Sequence, residues 1–154
     1  MGSDVQNAAM QDLTPSDIRR RLRTALDQHR KEAAERRARA DEAAVAYHGF
    51  LRDIAVPVFR MVANVAKAEG HPFTVYSPAE GVRLVSERNE RDFAEVWLDG
   101  SLDPPRVATR VNKQLGRDMV SKEGLLRPEA PIPSLTDEDV LAFLLREVVE
   151  LSER

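Results

Sequence analysis

Residues 50–69 read FLRDIAVPVFRMVANVAKAE, apolar at helical spacing throughout and interrupted at the centre by Pro57. How the chain passes Pro57 decides the fold, because the same spacing extends far toward the N-terminus. Ile18, Leu22, Ala25, His29, Ala33, Arg36, Ala40, Ala43, Tyr47, Leu51, Ile54, Val58, Met61, Val65 and Ala68 follow steps of three and four. One step of four is extra, so the pattern is close to a heptad seam with a single stutter. A helix over 15–69 would be about 80 Å long at the usual rise. One small domain does not bury such a rod along its length.

The seam changes character along the way. Its first part uses Ala, His and Arg, its second Tyr, Leu, Ile, Val and Met. Asp27–Lys31, Glu32–Arg36 and Glu35–Arg39 stand four apart in the favourable order for helix ion pairs. The expected organisation is therefore a flexible arm over 1–13, a protruding basic coiled-coil helix over 14–46 and a globular domain over 47–154. Two copies are expected to pair as a homodimer through Tyr47, Leu51, Ile54, Val58, Met61 and Val65. Pro57 lies off that seam and removes the bond to the carbonyl of Asp53, so it is expected to kink the helix. The competing reading is a break, with two helices meeting near Val56.

Helix starts are marked twice. In LTPSDI (13–18) Thr14 caps, Pro15 suits the first helical position and Asp17 favours the dipole, while Leu13 and Ile18 have staple spacing. LTDEDV (135–140) repeats this grammar. After Gly70 the period changes to two. FTVYS (73–77), VRLVSE (82–87), FAEVWL (93–98), RVATRVN (106–112) and RDMVSK (117–122) read as strands of an antiparallel meander, with Gly116 in the last turn. The proline-rich LRPEAPIPS (126–134) leads to a final helix whose Val140, Leu141, Phe143, Leu144, Leu145, Val148, Val149 and Leu151 predict a wide buried face. The fold class is α+β: a long kinked N-terminal helix, a meander of four or five strands and a C-terminal helix.

Charge is unevenly spread. Net charge is −3, but residues 14–46 hold nine Arg/Lys against six Asp/Glu, and 129–154 hold two against seven. No cysteine is present, which excludes disulfides, thiolate metal sites and cysteine nucleophiles and suits a reducing cytoplasm. No apolar run approaches the ~18 residues of a membrane span, so no membrane insertion is expected. The start MGSDVQNAAMQD has neither signal-peptide order nor a myristoylation pattern, since position 6 is Gln. His29, His48 and His71 are too scattered for a metal site, and no phosphate loop, nucleophile elbow or H-E-x-x-H is present. Neither enzyme chemistry, a cofactor nor a metal is expected.

Two surfaces remain as candidates. Arg19, Arg20, Arg21, Arg23, Arg36, Arg37 and Arg39 cluster on the first helix and fit a phosphate backbone, or simply the wet flank of a coiled coil. On the sheet, Ala94, Val96 and Leu98 facing the core would put Phe93, Glu95 and Trp97 on the opposite face, together with Arg83, Arg106 and Arg110. Such a face stacks and holds single-stranded nucleic acid if it is open. If a helix covers it, Trp97 joins the core, as single tryptophans mostly do. The preferred function is a non-catalytic dimeric assembly protein that engages an unidentified protein partner through its long helix. Nucleic-acid binding is the alternative.

Overall fold

Local chemistry sets both long helix starts in the computed structural model, which describes residues 13–153. Thr14 Oγ1 accepts from the backbone N–H of Asp17 at 3.1 Å, and the Asp17 carboxylate accepts in return from the Thr14 N–H. Thr136 and Asp139 repeat this reciprocal cap, with the Thr136 N–H donating to Asp139 at 2.9 Å. Each cap satisfies amide groups that a helix N-terminus otherwise leaves without partners. The arm expected over 1–13 lies, apart from Leu13, outside the described residues.

Helix α1 runs Pro15–Phe50, a π-helical turn follows over Leu51–Ala55, and α2 runs Val56–Ala68. The chain then forms β1 (Phe73–Tyr76), β2 (Val82–Ser86), β3 (Phe93–Asp99), β4 (Arg106–Leu115) and β5 (Asp118–Leu125). A 3₁₀ turn at Ile132–Ser134 precedes α3, Asp137–Ser152. The helix does not break at Pro57. The N–H of Val56 reaches back five residues to the carbonyl of Leu51, the wide bonding of a π turn. Pro57, with no N–H of its own, enters at the start of α2, where a missing donor costs least. At the other end Gly70 takes φ +87°, and the N–H of His71 closes on the carbonyl of Ala66 at 2.8 Å. That left-handed cap suits glycine and stops α2.

The strands form one antiparallel sheet in chain order, β1-β2-β3-β4-β5. Leu84 pairs with Ala94, Ala94 with Val111, and Val96 with Thr109. Strands β4 and β5 are longer than the alternation predicts, and Leu115 and Asp118 close their hairpin. Val82, Leu84, Ala94, Val96, Val107 and Val111 are buried on one face. On that face α2 packs on β1 and β2, and α3 packs on α2 and β3. Phe50, Ala55, Phe59, Val62, Phe143 and Leu144 complete the core. Gly81 marks a close approach, since a Cβ there would lie 2.7 Å from the carbonyl of Val96.

By its internal contacts the chain divides into two units, with the boundary between Ala38 and Arg39. Arg39 and the last turns of α1 therefore belong to the unit that carries the sheet. Within it Tyr47 is wholly buried and donates its hydroxyl proton to the carbonyl of Glu80. Arg39 makes a forked pair with Asp103, 2.8 Å on each arm.

Candidate functional site

The expected seam residues do not share one surface. Tyr47 and Val58 are in the chain's own core, and Leu51 and Ile54 are half-buried against it. Met61 and Val65 are exposed, at 58% and 63%. The π turn explains the difference. It inserts one residue beyond regular α geometry, and each residue rotates a helix by about 100°. The buried row therefore runs Tyr47, Phe50, Ala55, Val58, Val62, Ala66, with a step of five across the turn. A plain helix would have continued Tyr47, Leu51, Ile54, Val58, Met61, Val65, so the extra residue turns Met61 and Val65 outward. The sheet and α3 already bury most of this seam, so its burial does not require a second copy.

On α1 every side chain from Ile18 to Glu32 is exposed. Ile18, Leu22 and Leu26 form an i, i+4, i+8 row, exposed by 55%, 55% and 44%. Arg19, Arg20, Arg21, Arg23, Arg36 and Arg37 are all exposed along the same helix. Arg20 meets Asp17 at 3.2 Å, Asp27 meets Arg30 at 3.5 Å, and Glu32 accepts from Gln28 at 3.0 Å. These are three- and four-residue pairings on a wet surface, only Asp17 being partly covered, and each contributes well under 1 kcal/mol. A helix in water with so little packing is marginal on its own.

The face of the sheet opposite α2 and α3 carries Tyr76, Arg83, Phe93, Glu95, Trp97, Arg110 and Glu123. Trp97 is half-buried on this face and is not among the residues of the core. Cross-strand register places Arg83 opposite Glu95, Glu95 opposite Arg110 and Arg110 opposite Glu123. Glu95, only 7% exposed, takes Arg83 at 2.7 Å and Arg110 at 3.3 Å, and Arg110 also reaches Glu123 at 3.1 Å. The Arg83 guanidinium lies 4.1 Å from the centre of the Phe93 ring, and that of Arg110 lies 4.9 Å from the centre of Trp97. A phosphate competing for either arginine would remove one of the two cations that neutralise the buried Glu95 carboxylate, which is unfavourable. Arg106 is engaged elsewhere, donating to the carbonyl of Ala130 at 2.6 Å. Of the sequence-predicted anion contacts on the sheet, Arg83, Trp97 and Arg110 are thus brought together, with both of these arginines already paired.

Sequence reasoning missed a further surface. Leu145 and Val149, expected inside α3's wide apolar face, are 52% and 59% exposed. The reason is that α3 buries Val140, Phe143, Leu144, Glu147 and Leu151, which leaves Leu141, Leu145 and Val149 as a second row along its side. Between α2 and α3 a hollow of about 90 Å³ is lined by Val58, Met61, Val62, Asp137, Glu138 and Leu141. Its floor is apolar and one end is acidic. The spacing of the second row was readable in the sequence, but not which of two apolar rows would be buried.

Two other hollows lie elsewhere on the sheet-bearing unit. Arg39, Ala43, Ala46, Pro104, Pro105 and Pro133 help line one of about 260 Å³, whose rim arginines are held by Asp103 and Ala130. His71 Nδ1 and Ser152 Oγ, both buried without a hydrogen-bond partner among the described residues, line another of about 20 Å³. That is room for one water molecule and little else. Among the described residues no three His, Asp or Glu side chains are grouped to hold a metal, and no helix is long and apolar enough to cross a membrane. No family model, curated protein or solved structure matches the chain.

Proposed function

We propose that this chain is a non-catalytic interaction and assembly protein that engages a protein partner through the first half of α1. The observation that carries this is the exposed Ile18–Leu22–Leu26 row on a helix with almost no packing of its own. Recognition of an amphipathic helix by an apolar groove uses anchors at this spacing. A partner would cover the row and stabilise the helix at the same time. The composition, free of cysteine, suits a cytoplasmic site of action.

Nucleic-acid binding is the second reading, favoured by one observation. Residues 13–38 hold eight Arg/Lys against four Asp/Glu. Phosphate contacts release counterions, so this reading requires binding that weakens steeply with salt. An apolar contact is much less sensitive. A benzophenone-bearing residue in place of Leu22, photolysed in living cells, separates the two. Protein adducts that disappear in the Ile18→Asp/Leu26→Asp background are the expected result. Adducts with RNA or DNA support the second reading, and an absence of adducts contradicts both.

A further inference from the structure

Resting on the reading of α1 as a binding helix, we infer that its partner is a second copy of this chain, and that the receiving surface is the α2–α3 groove. Both surfaces are apolar rows spaced for helix packing. The donor presents Ile18, Leu22 and Leu26, and the acceptor presents Met61, Leu141 and Leu145. An extended, half-exposed helix face of this kind is otherwise an aggregation liability.

Charge selects the occupant. Of the six acids over 137–153, Asp139, Glu147 and Glu150 are already paired with Arg127, Lys122 and Arg146, so the charge offered to an occupant is that of the first turn. Asp137 and Glu138 stand at the mouth of the groove. On the donor, the residues one beyond each row member are Arg19, Arg23 and Asp27, so the edge beside the apolar row is basic over its first two turns. The basic residues of α2 do not spoil the match. Arg60 and Lys67 lie on its other side, where they line a hollow with Thr74 and Glu87. Complementary potentials of this sort fix the sense of a contact and suppress wrong pairings more than they add affinity. Two α1 helices facing each other would instead oppose basic edges.

The contact joins two different surfaces, and that makes it testable by complementation. A donor-deficient variant, Ile18→Asp/Leu22→Asp/Leu26→Asp, keeps its groove. An acceptor-deficient variant, Met61→Asp/Leu145→Asp, keeps its helix. All five positions are exposed, so both should melt within a few degrees of the parent. Light scattering after gel filtration should find the parent associated, each variant alone monomeric, and their equimolar mixture as a two-chain species. If the acceptor-deficient variant still self-associates while the donor-deficient one does not, α1 pairs with itself. The groove assignment then fails while the binding helix stands. If the donor-deficient variant self-associates, association does not run through α1 and the inference fails, while the cross-linking test judges the helix. A parent that is monomeric at all concentrations overturns self-recognition and leaves the cross-linking test to judge the helix. Should an aspartate variant lose its melting transition, charge reversal replaces it. Asp137→Lys/Glu138→Lys should weaken association about tenfold, as should Arg19→Glu/Arg23→Glu, a change of ~1.4 kcal/mol each. Mixed, the two reversed proteins should recover the lost affinity, and failure to recover it contradicts the pairing.

Discussion

Inserting one alanine between Asp53 and Ile54 should unfold the protein, whereas deleting Asp53 together with Pro57→Ala should leave it folded. The π turn already contains one residue more than an α-helix would hold there. A second extra residue turns α2 by a further ~100° and swings Val58, Phe59, Val62 and Ala66 away from the sheet. Burying each valine or phenylalanine is worth about 1.5–3 kcal/mol, and a domain has only about 5–15 kcal/mol in total. The insertion should therefore abolish the cooperative thermal transition. Removing Asp53 does the reverse. It places Tyr47, Phe50, Ala55, Val58 and Val62 at steps of three and four, the spacing of an uninterrupted helix. With Pro57 retained, its ring would meet the carbonyl four residues earlier, at a cost of ~3 kcal/mol. With alanine there, stability should return to within ~1 kcal/mol of the parent. Urea melts of the three variants decide it. A tolerated insertion, or a double variant as unstable as the single deletion, contradicts this account of the turn.

Tyr47 should be the most costly single side chain to truncate, and it should make the protein sensitive to alkali. It is wholly buried within the sheet-bearing unit, with its hydroxyl on the Glu80 carbonyl. Tyr47→Ala removes the ring and leaves a cavity, for an expected loss of about 3–5 kcal/mol. Tyr47→Phe removes only the hydroxyl and leaves the Glu80 carbonyl without its donor, for an expected loss of about 1–3 kcal/mol. Burial, and after it the nearby Glu80 charge, hold the phenol protonated well above its ordinary range. The folded state therefore keeps a proton that the unfolded chain releases near pH 10. Stability is fully present below that pH and falls as pH rises through it, by up to ~1.4 kcal/mol per unit. Urea melts between pH 8 and 11 should show this alkaline loss in the parent and much less of it in Tyr47→Phe. Parallel pH profiles would contradict the assignment.

The features legible in the sequence were those set by near neighbours. Both helix starts follow from a threonine and an aspartate three residues apart. The inward residues of β2 and β3 follow from strict alternation at Val82–Leu84 and Ala94–Val96. The π turn was not legible, because α2 is apolar on more than one side. Met61 and Val65 fit a helical row as well as Val62 and Ala66 do, and only packing on the sheet chooses between them. The same holds for Leu145 and Val149 on α3. The Glu95 hub needs the register of three strands, and the Arg39–Asp103 pair joins residues 64 apart. The polar extensions of β4 and β5 beyond Asn112 and Lys122 carry no alternation to mark them.

The central claim is that the exposed row of α1 is a binding surface filled by a second copy. Amide hydrogen exchange over residues 18–32, followed as the protein is diluted, tests it most directly. At high concentration these amides should exchange far more slowly than those of an isolated helix, because a packed helix opens only with its neighbours. The protection should fall away on dilution, and at any concentration in Met61→Asp/Leu145→Asp. Exchange that is equally fast at every concentration, and unchanged in that variant, would contradict the claim.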